Sequence, residues 1–401
     1  MFKMNFNKFL LASLPVFSLI ITSCSKDEQV IKDYAPYATP ATYTFNRNGV
    51  TTVDFNGQKS RILMLQEIAD YVKTQGASGA NVSDVKLLNM YANANTPFTN
   101  GELNSSKTKQ LRDKTAASLD YFSSNSVEQA EERVFFENKL REVGSAGAGT
   151  ATEGVAGIFE KRYYSANGLE PIQVVLKGLM GACFIDQICN NYLSTKKLDA
   201  GTNREDNTNK KLVVGTNYTE MEHAWDEAYG YVYGAGRDAD GKNAKFWDSY
   251  IDQVNADKDF NTLKGDINLA FRLGRAAIVN NDYVTRDLQI AIIKEKLAKV
   301  AAVRAVYYLM EGKKNLVGGA AKTFHALSEG YGFIKCLRYT NKQGTNSPYL
   351  SKNEVDVILN KLMAGRNGFW DVDYSKNNLE LLAKEIADKF GFTVEQAETV
   401  N

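Results

Sequence analysis

The chain has 401 residues, 44% of them hydrophobic and 24% charged, the make-up of a folded protein with a sizeable core. Its 48 basic and 47 acidic residues leave a formal net charge of +1. That balance argues against a nucleic-acid partner, which would call for a strongly basic stripe.

Residues 1–23 read as a lipoprotein signal peptide. Lys3 and Lys8 form a short basic region, Phe9 to Ile21 an apolar one too short to span a bilayer, and small residues then lead into Cys24. The segment resembles bacterial lipoprotein leaders, which implies that the Cys24 thiol is lipidated and becomes the mature first residue. Ser25-Lys-Asp-Glu28 is similar to the Lys-acidic-acidic signal for export to the cell surface. Both place the protein at the outer membrane, held by its lipid anchor and exposed at the surface. Residues 24–42, with Pro36 and Pro40, read as a flexible tether, and residues 43–401 as one all-α domain.

Within that domain Tyr43 to Phe55 is the one extended stretch, and the pattern turns helical from Gly57. Ser83 caps a second helix through Tyr91, and further helices are expected over 107–122 and 127–143. A glycine-rich connection over 144–154 lacks the Gly-Lys-Ser/Thr of a phosphate loop. Pro171 opens a long apolar helix to about Leu193, and 195–215 is a polar loop. Helices then follow from Thr219 to the glycines at 234 and 236, and over 246–256, 261–280, 284–312, 318–339, 351–364 and 376–390. With Cys24 assigned to lipid, Cys183, Cys189 and Cys336 remain. They read as buried thiols, although Cys336 could pair with one of the other two.

Two stretches stand out. Residues 223–232 read His-Ala-Trp-Asp-Glu-Ala-Tyr-Gly-Tyr-Val, and residues 325–334 read His-Ala-Leu-Ser-Glu-Gly-Tyr-Gly-Phe-Ile. The chain has only 2 histidines, and each opens one copy. Such an internal repeat predicts duplicated helical bundles related by a pseudo-two-fold axis. Residues four apart share a helix face, so His223 projects with Glu227 and His325 with Glu329. If the copies meet, two imidazoles and two carboxylates make a metal site of the kind bundles build from facing helices. Asp226 is a further candidate ligand, and Tyr229 and Tyr231 are candidates for a phenolate toward ferric iron or haem. Iron is the metal favoured by this donor set, with manganese and zinc also suited. The alternative is that each His/Glu pair only holds helices in register.

The leader, the segment Val53-Asp-Phe-Asn-Gly-Gln-Lys-Ser-Arg-Ile62 and the motif Met221-Glu-His-Ala-Trp-Asp-Glu-Ala-Tyr-Gly230 resemble a Bacteroidetes surface lipoprotein family, domain of unknown function number 4856. The resemblance covers essentially the whole mature chain and implies no activity. More distantly, the duplicated layout is similar to imelysin-type proteins, iron-regulated envelope proteins with a Gly-x-His-x-x-Glu motif. Here the Glu stands four residues after the His. Asp226 stands three after His223, and Ser328 three after His325. The resemblance implies a monomer that binds iron, alone or as haem, beside an outer-membrane transporter. A metal-dependent hydrolase with Glu220 or Glu222 as base is the enzymatic alternative, but neither His-Glu-x-x-His nor Gly-x-Ser-x-Gly occurs. The third alternative is an adaptor lipoprotein whose motifs are purely structural.

Overall fold

Apolar residues recurring three and four apart turn most of the chain into helix in the computed structural model, which describes residues 37–399 except 106, 107 and 318. The leader, Cys24 and the tether up to residue 36 lie outside the described residues.

Strands β1 (Asn46–Arg47) and β2 (Val50–Thr51) form a tight antiparallel hairpin that leads into α1 (Asn56–Ser78). The next helix, α2 (Asp84–Ala92), begins at Ser83, whose hydroxyl accepts the Lys86 amide at 3.2 Å. The short helices α3 (Gly101–Asn104) and α4 (Leu111–Lys114) precede α5 (Ser126–Ser145). A second hairpin, β3 (Gly157–Phe159) with β4 (Arg162–Tyr164), leads into α6 (Pro171–Leu179). That helix continues through π-helical turns over Met180–Ile185 and Ile188–Tyr192. The whole rod is apolar and long enough to cross a membrane, yet it is buried inside the protein and forms its core.

Two short helices, α7 (Thr195–Leu198) and α8 (Asn203–Thr208), occupy what the sequence reads as a polar loop. After them come α9 (Glu220–Tyr233), α10 (Trp247–Asn255) and α11 (Leu263–Val279). The longest helix, α12 (Tyr283–Asn315), is followed by α13 (Ala320–Cys336), α14 (Lys352–Leu362), α15 (Val372–Phe390) and α16 (Val394–Ala397). The architecture is all-α, as the periodicity predicts.

The central spine is α12, with α11, α13 and α15 packed along it. Its middle is built of Ala298, Ala301, Ala302 and Ala305 alternating with Val300, Val303 and Val306, all fully buried. Small side chains let neighbouring helices come close, and each buried valine contributes on the order of 1.5–3 kcal/mol. Cys183, Cys189 and Cys336 are free and buried, so the bridge left open for Cys336 does not form.

Two local expectations need correction. The helix expected over 107–122 shrinks to Leu111–Lys114. Beyond it the chain turns at Ala116, where φ is +49°, and the buried Asp186 carboxylate accepts the Ala117 and Ser118 amides at 3.0 Å and the Ser118 hydroxyl at 2.6 Å. Those bonds satisfy the backbone outside a helix, so amphipathic spacing does not prevail there. Burial pushes the Asp186 carboxyl up to about 7, against the pull of these donors. The second correction is the β3–β4 hairpin, which turns on Glu160 and Lys161 at φ +45° and +65°. Tight hairpin turns of this hand usually carry Asn-Gly, so the sequence gives no turn signal.

Candidate functional site

The first motif lies on α9, whose start is fixed reciprocally: the Thr219 hydroxyl accepts the Glu222 amide, and the Glu222 carboxylate accepts the Thr219 amide. His223 stacks on Tyr218 with ring centroids 4.4 Å apart. Its Nε2 stands 4.0 Å from Glu227 Oε2, beyond hydrogen-bond range, and its buried Nδ1 has no partner among the described residues. Glu227 Oε1 accepts Gln58 Nε2, from the first turn of α1, at 2.8 Å. Behind this face lies a buried cluster around Arg275 of α11. Arg275 Nε donates to Asp226 Oδ1 at 2.9 Å, its Nη1 lies 3.3 Å from Glu222 Oε1, and its Nη2 donates to Thr52. Asp226 also accepts the Tyr43 hydroxyl at 2.6 Å, and Glu222 the Arg47 guanidinium at 2.8 Å.

Electrostatics follow from those partners. Burial pushes the Glu222 carboxyl up, but Arg275 and Arg47 outweigh it and hold the group below its ordinary value. Full burial pushes Asp226 up to about 6, despite Arg275 and Tyr43. Tyr229 lies flat on Tyr43 with centroids 3.6 Å apart. Tyr231 is fully buried against Phe184, and burial keeps its hydroxyl well above the ordinary value and so a neutral phenol. Tyr231 is a core residue, and the partly buried Tyr229 packs against the core.

The second motif lies on α13. His325 Nδ1 is 2.7 Å from Glu170 Oε2 and 3.1 Å from Arg162 Nη1, while its Nε2 is 3.5 Å from Glu329 Oε2. Glu329 Oε1 pairs with Lys177 of α6 at 3.0 Å. Burial pushes Glu329 up, yet Lys177 and His325 together hold it below its ordinary value. Ser328, the counterpart of Asp226, accepts the Glu170 amide at 2.8 Å.

In both copies the motif glycine lets two helices touch. A Cβ on Gly230 would stand 2.3 Å from the Phe55 Cβ at the start of α1, and one on Gly332 2.5 Å from the Lys177 Cβ of α6. Each motif thus rests on the opening turns of a helix that a hairpin precedes. Both motif helices pack on the buried rod, α9 on its Ile188–Tyr192 end and α13 on α6 and Met180–Ile185, but their other neighbours differ: α1, α10 and α11 for α9, α12 and α14 for α13. His223 stands beside Glu227 and His325 beside Glu329, while Asp226 turns back into the Arg275 cluster, and among the described residues no hydrogen bond or ion pair links one motif to the other. Among the described residues no group of three or more His, Cys, Asp or Glu side chains is arranged to hold a metal ion.

Sequence reasoning missed Arg275, Glu170, Lys177 and Gln58. A signal existed for two of them: Arg275 interrupts Leu-Gly-Arg-Ala-Ala-Ile-Val, and Lys177 interrupts Val-Val-Leu-Lys-Gly-Leu. A lone cation in an apolar helical run must find an anion when buried.

No curated protein and no solved structure matches this chain. A family model described as a domain of unknown function, DUF4856, matches residues 40–393. The match takes in both hairpins, both motifs and all but the last helix, and the chain belongs to the DUF4856 family.

Proposed function

We propose that the chain is a lipid-anchored binding protein of the outer envelope whose His/Glu motifs brace its helices rather than hold a metal. The supporting observation is that the motif acids already have partners within the protein. Asp226 faces Arg275, Glu329 faces Lys177, and Glu227 faces Gln58. At Asp226 and Glu329 a metal ion would have to displace a buried cation and leave it uncompensated, at a cost of several kcal/mol, and at Glu227 it would have to displace the Gln58 amide. The same reasoning speaks against hydrolysis. Glu222 lies under two guanidiniums, and Glu220 points toward Lys197 at 3.9 Å.

One observation favours the second reading, metal binding with iron first, as the ion itself or in haem. The 4.0 Å gap between His223 Nε2 and Glu227 Oε2 could take a shared ion, and both side chains are partly exposed. Metal content separates the readings, measured by mass spectrometry on untagged protein starting at Ser25. Bracing predicts substoichiometric metal in wild type, unchanged in His223→Ala and His325→Ala. It also predicts a stability loss for His325→Ala of about 1–3 kcal/mol, because Glu170 loses a partner. Stoichiometric iron, or a haem absorbance band, lost in His223→Ala would instead establish the metal site.

The anchor rests on Lys3, Lys8, the apolar run Phe9 to Ile21 and Cys24, and surface export on Ser25 to Glu28. A Bacteroidetes surface lipoprotein with an imelysin-like duplicated bundle, seated beside an outer-membrane transporter, is the setting that agrees with these residues. Cys24→Ser is expected to move the protein from the membrane to the soluble fraction and to abolish palmitate labelling. Membrane retention of the variant would rule the anchor out.

A further inference from the structure

Away from both motifs, Lys294 occupies an unusual position. It lies on the apolar face of α12 among Ile290, Ile293 and Leu297, and only 8% of it is exposed. Among the described residues it has neither a hydrogen bond nor an ion pair, unlike Arg275, Lys177 and Lys335, which are buried with acids. Its side chain lines a cavity of about 400 Å³ between α12, the start of α7 and the loop 341–346. That volume falls within the range of small-molecule sites. Asp120 also lines the cavity; its side chain is 6% exposed, and its Oδ1 accepts the Ser194 hydroxyl at 2.8 Å and lies 3.5 Å from Nζ of the exposed Lys196, which leaves Oδ2 for a ligand. Asp120 is near enough to favour the Lys294 ammonium electrostatically, yet the two do not pair. Asn341, Thr195 and Thr345 add amide and hydroxyl groups to the lining.

A buried ammonium without a counter-ion is costly, and burial accordingly pushes the Lys294 amine below its ordinary value. A cation and a carboxylate that line one cavity without pairing give it a dipole. The complement of that dipole is a small molecule bearing both charges.

We propose that this cavity binds a small zwitterion of the amino-acid class, its carboxylate on Lys294 and its ammonium on Asp120. The amides and hydroxyls of the lining then orient the remaining polar groups. The proposal rests on the binding-protein reading and supplies its ligand class.

The experiment is calorimetric titration of the protein starting at Ser25 with glycine, L-glutamine and L-phenylalanine. Propionate and propylamine, each carrying one of the two charges, serve as controls. At least one amino acid should bind saturably, and neither control should bind at the same concentrations. Lys294→Met keeps the apolar stem in place, so it should fold and lose affinity by about tenfold or more, as should Asp120→Asn. Lys73→Met, on an exposed lysine of α1 that does not line the cavity, should bind as wild type does. Absence of binding by all three amino acids overturns the proposal, as does equal binding by Lys294→Met or by propionate. Metal content and membrane fractionation do not depend on Lys294, so failure here leaves the bracing reading intact.

Discussion

Arg275→Met is expected to destabilise the fold by about 3–5 kcal/mol, the cost of removing one partner from a buried charge cluster. Arg275 is fully buried and is the cation that Asp226 contacts, while Glu222 keeps Arg47 as well. Methionine fills similar space, so the loss comes from an uncompensated carboxylate rather than from a void. The loss should also depend on pH. The Asp226 carboxyl already sits at about 6, above its ordinary 3.8, because it is buried. Without Arg275 it rises further. A group with a raised folded pKa gives its full stabilisation below its unfolded value and loses it as the pH rises through the folded one. The deficit of Arg275→Met should therefore be smaller at pH 5 than at pH 8. Urea denaturation at both values measures it. Adding Asp226→Asn to Arg275→Met should recover part of the loss at pH 8, since it removes the stranded charge. A variant within about 1 kcal/mol of wild type at pH 8 would show that Arg275 does not hold this cluster together.

That cluster also marks how far the sequence could be read. Helix positions were legible because apolar residues recur three and four apart along segments such as 56–78 and the first half of 283–315. The start of α2 was legible because Ser83 is a local cap. The register of His223 with Glu227, and of His325 with Glu329, follows from helix geometry alone. What each pair faces does not. Gln58 lies 169 residues from Glu227 in sequence, and Glu170 lies 155 from His325, contacts that only the packing of distant helices creates. Whether the two copies meet belongs to the same level, which is why the shared site is conditional in the sequence. Two helices with matching faces need not face each other, and here each is covered by its own hairpin-led helix. The loss of helix after Lys114 has the same origin, since Asp186 comes from the buried rod some seventy residues on.

Gly332→Ala and Gly230→Ala should each cost about 1–3 kcal/mol, the usual penalty for overfilling a packed contact. The sign is the informative part. In an open helix the same change stabilises by up to about 1 kcal/mol, because glycine is a poor helix former. At Gly332 a new Cβ would lie 2.5 Å from the Lys177 Cβ, 3.1 Å from the Gln173 carbonyl oxygen and 3.2 Å from the Gly178 amide nitrogen. At Gly230 it would meet the Phe55 Cβ at 2.3 Å and the Gln58 Cβ at 3.1 Å. Backbone and Cβ atoms cannot swing aside, so the helices must separate, and with them Glu329 from Lys177 and Glu227 from Gln58. Gly265, on the open side of α11 with nothing near its Cβ position, is the control and should tolerate alanine or gain from it. Thermal and urea midpoints for the three variants decide the matter. If both motif variants match Gly265→Ala, close helix contact is not what the repeated glycine provides. If both fall while Gly265→Ala holds, the repeat His-Ala-x-x-Glu-x-Tyr-Gly encodes one packing joint used twice, with its acid and its glycine serving the same helix contact.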